Sequence, residues 1–235
     1  MLTHEGTVSE GSAENIFLLI DNQLVTPPAS ENILLGITRD TVMEVATREF
    51  AEHGYSGARV DEIAERTRTT KRMLYYYFGS KEGLYTAVLE RAYARIRAAE
   101  RDVDVEHLDP VAAIRRLAEL TFDHHEAHPD FIRLVSIENI HRAEHMRSSE
   151  RIADLSMPAL DRIARILERG REAGVFHRDV EAVDLHMLIS SYCVFRVANR
   201  HTWQTLFGRD LTDAALRDRY RTMLGDVVVE YLTSG

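Results

Sequence analysis

The segment TTKRMLYYYFGSKEGLY, residues 69–85, concentrates side chains that can bind an anionic polymer. Lys71 and Lys81 are the only two lysines of the chain, and Arg72 follows the first of them directly. Three consecutive tyrosines at residues 75–77 add phenol hydroxyls. Cationic side chains attract phosphate oxygens, and a phenol can donate a hydrogen bond to one. The segment is therefore a candidate surface for phosphate contacts.

Charge is unevenly distributed along the chain, whose formal net charge is −9. Residues 1–37 carry five acidic residues and no Lys or Arg, and residues 38–93 carry nine of each sign. Residues 94–235 carry 20 Arg against 24 acidic residues. Within residues 59–81, six Lys or Arg face three Asp or Glu, a local charge of +3. Because local charge governs binding to nucleic acid, the net acidity of the chain does not exclude it.

The elements that must position these side chains are short helices. Helical periodicity begins at residue 38 and predicts a helix that ends at Gly54, followed by short helices over residues 60–67 and 71–78. Thr70 is the predicted N-cap of the third helix. Only three residues separate the second helix from the third, and the third has a basic N-terminus, so the pattern predicts a helix-turn-helix.

The third helix of such a unit enters the major groove with its N-terminus first, so residues 70–73 and Tyr76 can reach base edges. Arg72 can make the two hydrogen bonds that O6 and N7 of guanine accept. Three successive helical residues point about 100° apart, so the tyrosines at 75–77 cannot all be buried, and their exposed hydroxyls can contact phosphate. Lys81 begins a fourth helix, capped by Ser80, where free backbone amides also favour an anion.

The stretch AEHGYSGARVDEIAERTRTTKRMLYYYFGSKEGLYTAVLE resembles the DNA-binding domain of the TetR family of bacterial transcriptional regulators, over about residues 38–85. The match to the family signature LYYYF-x-SKE-x-L at residues 74–84 is highly specific. The resemblance implies an all-helical homodimer whose C-terminal domain binds a small effector and releases DNA. It also implies that Tyr75 and Tyr77 contact phosphate, that Lys81 is the family's lysine of the fourth helix, and that residues 70–73 read bases.

Two positions depart from the family pattern. Members usually have Thr or Ser at the start of the second helix, whereas this chain has Ala58 and Arg59, so that a hydroxyl cap is missing and Arg59 becomes a candidate phosphate contact. The turn usually carries Gly, and here Arg68 occupies it, at a backbone cost if the turn needs a positive φ. The predicted DNA-contacting side chains are Arg59, Thr69, Thr70, Lys71, Arg72, Met73, Tyr75, Tyr76, Tyr77 and Lys81.

The rest of the chain also predicts helices, and no segment shows sustained period-two alternation. The expected class is all-α, with a flexible leader at residues 1–37, a three-helix DNA-binding domain at 38–85 and a C-terminal helical bundle at 86–235 for effector binding and dimerisation. The predicted bundle helices are 109–128, 129–141, 146–173 with a break near Pro158, 180–201 and 212–232. The last two carry apolar residues on more than one face, and the family resemblance implies that they form the dimer.

Histidines are the candidate metal ligands. His124, His125 and His128 lie together in FDHHEAHPDF, and His141 and His145 lie at i and i+4 on one helix face. That spacing can hold a metal ion. No second pair of fixed spacing follows, however, and histidines at helix ends often only bind carbonyls. The prediction is therefore no metal and no cofactor.

The candidate effector contacts are polar residues on apolar helix faces. Glu138 shares a face with Phe131 and Leu134, and Tyr192 and Arg196 follow Ile189 at steps of three to four residues. A buried charge must be paired. One alternative is therefore that these residues have a structural role, as an internal pair between Glu138 and Arg196, a tyrosine–carbonyl hydrogen bond, or a dimer contact. The other is a small anionic or aromatic effector. Its predicted contacts are Glu138, Asn139, Tyr192 and Arg196.

Other function classes find little support in the sequence. No apolar run is long enough to span a bilayer, a secretory signal is not expected, and the single Cys193 lies in an apolar helical context. No phosphate-binding glycine loop or activated nucleophile is found. We expect a cytoplasmic regulator without enzymatic activity that acts as a repressor. Its expected partners are a palindromic double-stranded DNA operator, a small-molecule effector and a second copy of the chain. We expect no association with a membrane. An activator, a constitutive DNA binder, and a helical enzyme with an appended DNA-binding domain stay open.

Overall fold

The computed structural model of the chain describes residues 18–20, 23–25, 37–101 and 105–235. Residues 37–101 and 105–235 contain helices and the turns between them, so the all-α prediction is confirmed. Two three-residue strands, Leu18–Ile20 and Gln23–Val25, pair antiparallel with Leu18 opposite Val25, which the sequence did not predict. Most of the leader predicted at residues 1–37 lies outside the described residues, and its flexibility stays a prediction.

Four helices form the N-terminal part and lead out of it. Gly54 has a φ of 69° and interrupts the first helix where its end was predicted. Thr70 caps the third helix, and its hydroxyl oxygen accepts from the Met73 amide at 3.2 Å. A compact core that includes Phe50, Ile63 and Leu74 joins the first three helices. The four helices are α1 Ile37–Gly57, α2 Val60–Arg66, α3 Lys71–Phe78 and α4 Lys81–Arg101.

Six further helices form the C-terminal bundle, and four of them surround a second apolar core. Its centre includes Ile114, Ile163 and Leu185 from three different helices. Asp109 caps the first of these helices by accepting from the Ala112 amide at 3.0 Å, as expected for an N-cap before Pro110. The six helices are α5 Pro110–Ala127, α6 Pro129–Ile140, α7 Glu150–Glu172, α8 Ala182–Ala198, α9 Arg200–Phe207 and α10 Arg217–Thr233.

The predicted break near Pro158 is wrong, because α7 continues through it. A proline inside a helix removes one hydrogen bond to the carbonyl four residues earlier, here that of Asp154. Asp154 and Pro158 are both exposed, so water can satisfy that carbonyl while Ile152 and Ala159 pack into the core. Packing of the apolar face therefore outweighs the local signal.

The ends of three predicted bundle segments, that of α7 included, also differ from the prediction. The segment predicted to start at residue 146 begins with a 3-10 turn, Met146–Ser148, and α7 starts only after Ser149, whose hydroxyl caps it. The predicted helix 180–201 divides at Asn199 into α8 and α9. The helix predicted from residue 212 is preceded by a 3-10 turn, Ala214–Leu216. These differences change the helix boundaries and leave the architecture unaltered.

The loop between α6 and α7 joins the two parts of the protein. The carboxylate of Glu138 accepts hydrogen bonds from the amides of His145 and Met146 at 3.2 and 3.1 Å. The His145 ring lies 4.2 Å from the ring of Tyr55 on α1 and 4.9 Å from that of Tyr85 on α4. Glu138 therefore holds a loop of the bundle against the helix-turn-helix domain.

Gly170→Ala is expected to destabilise the bundle. A Cβ at Gly170 on α7 would overlap the ring of the buried Phe176, and the Gly170 carbonyl accepts from the amides of Val175 and Phe176. Overpacking of this kind lowers the free energy of unfolding by about 1–3 kcal/mol. Urea unfolding measures the change. Gly57→Ala is the control, since a Cβ there makes only an ordinary contact with His53, and an equal loss in both variants would contradict the packing argument.

Candidate nucleic-acid interface

The turn between α2 and α3 orients the third helix. Arg68 adopts a φ of 52°, so the backbone cost that the sequence raised for a non-glycine residue at this position is present. The turn is closed by the Thr69 amide, which donates to the Ala64 carbonyl at 2.9 Å, and by the Arg68 amide, which donates to the Glu65 carbonyl at 3.1 Å. These bonds fix the direction in which α3 leaves α2.

The start of α2 lacks a side-chain cap, as its sequence predicted. A residue of α1 replaces it, because the buried carboxylate of Glu49 accepts from the Arg59 amide at 3.0 Å. The same carboxylate lies 3.7 Å from the Arg66 guanidinium. Sequence reasoning missed Glu49, although its position three and seven residues after Ala46 and Val42 places it on the buried face of α1, where a carboxylate needs donors. The Arg59 side chain stays exposed and lies 3.6 Å from Glu62.

Helix α3 buries Leu74 and presents the opposite side to solvent. Arg72 is exposed, and the Lys71 ammonium lies 3.2 Å from the exposed Asp61 carboxylate on α2. Tyr76 and Tyr77 are 48% and 44% exposed, so the argument that the three tyrosines cannot all be buried is correct. An exposed cationic and phenolic surface therefore follows the capped start of α3.

Tyr75 and the start of α4 lie at the edge of this surface. Tyr75 is half-buried and packs against the N-terminal core. The Lys81 ammonium donates to the Ser56 carbonyl at 3.3 Å and lies 5.1 Å from the Tyr55 ring centre. A Cβ at Gly83 would overlap the Phe78 carbonyl, so glycine is needed for α4 to start this close to α3. Lys81 is thereby fixed beside the end of α1.

The structure groups the ten predicted contact residues on α2, α3, their turn and the start of α4. Six of them are exposed: Arg59, Thr70, Lys71, Arg72, Tyr76 and Tyr77. The other four are half-buried: Thr69, Met73, Tyr75 and Lys81. Thr70 already accepts a hydrogen bond as a cap, which leaves its hydroxyl proton for donation. Their roles in binding DNA stay predictions.

The four predicted effector contacts bind different partners within the chain, and their role in binding an effector stays a prediction. Glu138 is fully buried and binds the loop at His145, as described above, and Asn139 is exposed and donates to the Val135 carbonyl at 2.9 Å. The Arg196 guanidinium pairs with Glu126 at 2.8 Å, so the alternative of a pair between Glu138 and Arg196 is wrong.

Tyr192 makes the tyrosine–carbonyl hydrogen bond that the sequence analysis named as one alternative to an effector contact. Its hydroxyl donates to the Tyr220 carbonyl on α10 at 3.1 Å, and burial raises its pKa to about 12. Cys193 beside it is buried in the apolar core, and burial likewise raises the pKa of its thiol to about 12. A thiol with that pKa is protonated at neutral pH, which fits the interpretation of Cys193 as a core residue.

The histidines occupy several different environments. The Nδ1 of His125 donates to the Thr121 carbonyl at 2.8 Å, and burial lowers its pKa to about 4. His141 ends α6, and His145 donates to Glu138 at 3.1 Å. Within residues 37–101 and 105–235, no three His, Cys, Asp or Glu side chains are arranged to hold a metal ion.

Of the described helices, none is long and apolar enough to cross a membrane.

Two family models match the chain, one for each part. The model for bacterial regulatory proteins of the tetR family matches residues 42–88, and the model for a tetracyclin repressor-like C-terminal domain matches residues 110–228. The transcriptional repressor NicS of Pseudomonas putida is 33% identical over 195 residues, which cover 83% of this chain and 92% of NicS. The repressor SCO4008 of Streptomyces coelicolor is 33% identical over 154 residues, which cover 65% of this chain and 74% of that protein.

Solved structures share the same arrangement of helices. The putative regulator SCO4942 of Streptomyces coelicolor has 27% identity and a TM-score of 0.62 over 84% of this chain and 99% of its own. A tetR-family regulatory protein from Rhodococcus RHA1, at 17% identity, shows the likeness of fold alone, with a TM-score of 0.68 over 85% and 99% of the two chains. The two family models and the similarity to NicS show that this chain belongs to the TetR family of bacterial transcriptional regulators.

Proposed function

We propose that the protein is a transcriptional repressor that binds a palindromic DNA operator as a homodimer in the cytoplasm and leaves it when a small-molecule effector binds. The observation that carries this proposal is the exposed N-terminus of α3, where Thr70, Lys71 and Arg72 follow a hydrogen-bonded turn. Two of the similar proteins are named as repressors, which supports repression over activation.

Base reading is assigned to the first turn of α3. Arg72 is exposed and can present two parallel N–H groups to one guanine. Thr70 can donate its hydroxyl proton, and Met73 is half-buried at the edge of the same surface, where it can contact a thymine methyl group. Because α3 is anchored through Leu74, these side chains share one fixed orientation.

Phosphate contacts are assigned to the rim of this surface. The exposed hydroxyls of Tyr76 and Tyr77 and the ammonium of Lys81 can hold the DNA backbone, which positions the protein without selecting a sequence. Arg59, at the start of α2, adds an exposed cation that lies 3.6 Å from Glu62. Lys71 is already paired with Asp61 on the surface, so part of its charge is neutralised before DNA arrives.

A gel shift with the DNA that flanks the protein's own gene tests operator binding, and the absence of any shift would contradict the proposal.

Comparing Arg72→Ala with Lys81→Ala separates base reading from phosphate contact. Loss of the Arg72 base contact is expected to cost about 1–3 kcal/mol on the operator and to relax the preference at one base pair. Loss of Lys81 is expected to weaken binding to all sequences alike and to reduce the salt dependence by about one phosphate.

Arg101→Ala is the matched control, since Arg101 is an exposed arginine at the far end of α4. It is expected to leave both the base preference and the salt dependence unchanged. If Lys81→Ala altered the base preference while Arg72→Ala did not, the assigned roles would be reversed.

A reporter gene behind the operator distinguishes repression from activation, because deletion of a repressor raises expression.

A further inference from the structure

A cleft of about 110 Å³ opens where the helix-turn-helix domain meets the bundle. It lies apart from the residues predicted to bind an effector, none of which lines it. Four helices contribute to its wall, one of them from the DNA-binding domain. The wall includes Thr47 from α1, Arg91 and Arg95 from α4, His124 from α5, His128 between α5 and α6, and Phe131 from α6.

The charge on the cleft wall is mainly positive. Arg91 lies 3.5 Å from the Asp40 carboxylate and donates to the Asp40 carbonyl at 3.2 Å. Arg95 has no carboxylate partner within residues 37–101 and 105–235. Burial lowers the pKa of Arg91, and the nearby charge of Arg95 lowers it further. Asp130 is the one acidic residue among the described side chains of the wall, so the two arginines are only partly neutralised.

His124 adds a buried polar group that the protein itself does not satisfy. Its side chain is 6% exposed, and neither ring nitrogen has a hydrogen-bond partner among the described residues. Burial, followed by the charge of His128, lowers the pKa of His124 to about 3, so the ring is neutral at physiological pH. A neutral imidazole has one N–H to donate. A buried donor without a partner favours any ligand that can accept from it.

The rest of the wall is apolar or carries a favourable dipole. The Phe131 ring and the small side chains of Ala92 and Ala127 face the same space. The first turn of α6, which starts at Pro129, borders the cleft, and the N-terminus of a helix favours a negative charge. One side of the cleft thus suits an anion, and the other suits a compact apolar group.

We propose that this cleft binds a small carboxylate carried on a compact apolar group, and that its occupancy changes the affinity for DNA. The carboxylate accepts from Arg95 and Arg91, the His124 ring donates to it, and the apolar group packs on Phe131. A planar carboxylate matches the paired N–H groups of a guanidinium. Binding of the anion stands on the cleft alone, whereas its effect on DNA rests on the proposed function.

The regulatory effect follows from the position of Thr47. This residue lies on α1, which packs against α4 and α6, and α1 belongs to the same core as the recognition helix α3. A ligand that bridges Thr47 and the two arginines of α4 fixes the angle between α1 and the bundle. A ligand can shift an equilibrium only by binding one arrangement better than another, so the proposal requires a cleft that differs in width between the DNA-bound and the free arrangement.

Calorimetry on the full-length protein tests the chemistry of the ligand. Benzoate and butyrate are the carboxylate probes. Benzamide keeps the benzene ring without a charge, and benzamidine keeps it with a positive charge. We expect both carboxylates to bind, benzamide to bind more weakly and benzamidine not to bind. Binding of neither carboxylate at millimolar concentrations, or equal binding of all three aromatic probes, would overturn the proposal.

Variants locate the site. Arg95→Gln removes an exposed charge and is expected to weaken benzoate binding by about tenfold or more, because a charge-assisted hydrogen bond is lost. Arg101→Gln on the same helix is the control and should leave benzoate binding unchanged. His124→Phe keeps the ring and removes the N–H, so it should also weaken binding. An unchanged affinity in Arg95→Gln would place the probe elsewhere and overturn the proposal.

The regulatory part has a separate readout. Fluorescence anisotropy of labelled operator DNA is measured with and without benzoate, for the native protein and for Arg95→Gln. We expect benzoate to change operator affinity in the native protein and not in the variant. Benzoate binding without any change in operator affinity would overturn the regulatory part alone. Failure to bind operator at all would overturn the proposed function and leave the calorimetric result standing.

Discussion

Arg196→Met is expected to lower the free energy of unfolding by about 1–3 kcal/mol, the usual cost of leaving a buried hydrogen-bond acceptor without its partner. Arg196 is 3% exposed, and its guanidinium lies 4.0 Å above the Phe122 ring. It donates to the Glu126 carboxylate at 2.8 Å and to the Leu211 carbonyl at 2.7 Å. Methionine fills much of the space and satisfies neither acceptor.

The loss is expected to spread beyond the ion pair itself. Leu211 lies in the segment between α9 and α10, so its carbonyl ties that segment to α8. Glu126 keeps a second partner, Arg217, at 2.6 Å, and therefore does not become a lone buried charge. The unsatisfied Leu211 carbonyl and the loosened segment are then the larger contributions to the loss of stability.

Urea unfolding with Arg217→Met as the control isolates the effect of burial. Arg217 binds the same Glu126 carboxylate and also Asp123 at 2.6 Å, but its side chain is 39% exposed. Exposed ion pairs contribute about 0–1 kcal/mol, so this variant should be only slightly destabilised. An Arg196→Met protein with native stability that no longer responded to an effector would instead support the hypothesis that Arg196 contacts the ligand.

Local signals predicted the elements of the recognition unit well. The bounds of α3 and its Thr70 cap follow from residues that are neighbours in sequence, and so does the exposure of Tyr76 and Tyr77. The backbone strain at Arg68 in the turn could also be predicted, because it depends on the conformation of one residue only. Features that depend on one helix and its flanking turns could thus be predicted from the sequence.

Contacts between distant residues could not be predicted in this way. Glu49 replaces the missing cap of α2 across ten residues, and Lys81 binds the Ser56 carbonyl across 25 residues. The partner of Arg196 is 70 residues away, and a periodic pattern shows that such a side chain is buried without showing what it meets. Pro158 illustrates the same limit, since tertiary packing decided whether the helix continued.

The double variant Met187→Glu, Val227→Glu is expected to be a monomer that binds the operator far more weakly. Met187 is 64% exposed on α8 next to Val183, which is also exposed. Val227 is 49% exposed on α10, with exposed Met223 and Tyr231 four residues to either side. Rows of exposed apolar side chains on two adjacent helices are typical of an interaction surface, and the family resemblance implies that these helices form the dimer.

Light scattering checks the assembly. The native protein should have about twice the chain mass of 26.9 kDa, and the double variant should have the mass of one chain. Two carboxylates placed in an apolar interface lose their hydration without gaining a partner, which opposes association. Met157→Glu is the control, since Met157 is equally exposed but lies on α7, and this variant should stay dimeric. A native protein that is monomeric at micromolar concentration would contradict the proposed dimer.

Operator binding should fall with the dimer. A dimer places two recognition helices in successive major grooves about 34 Å apart, so the second half-site is bound as an intramolecular event. Loss of that linkage is expected to reduce operator affinity by roughly 10²–10⁴-fold. Circular dichroism should show native helix content in the variant, because both side chains are exposed on a folded subunit. A folded monomer that kept native operator affinity would mean that one α3 helix supplies all of the binding, and that the apolar rows serve another partner.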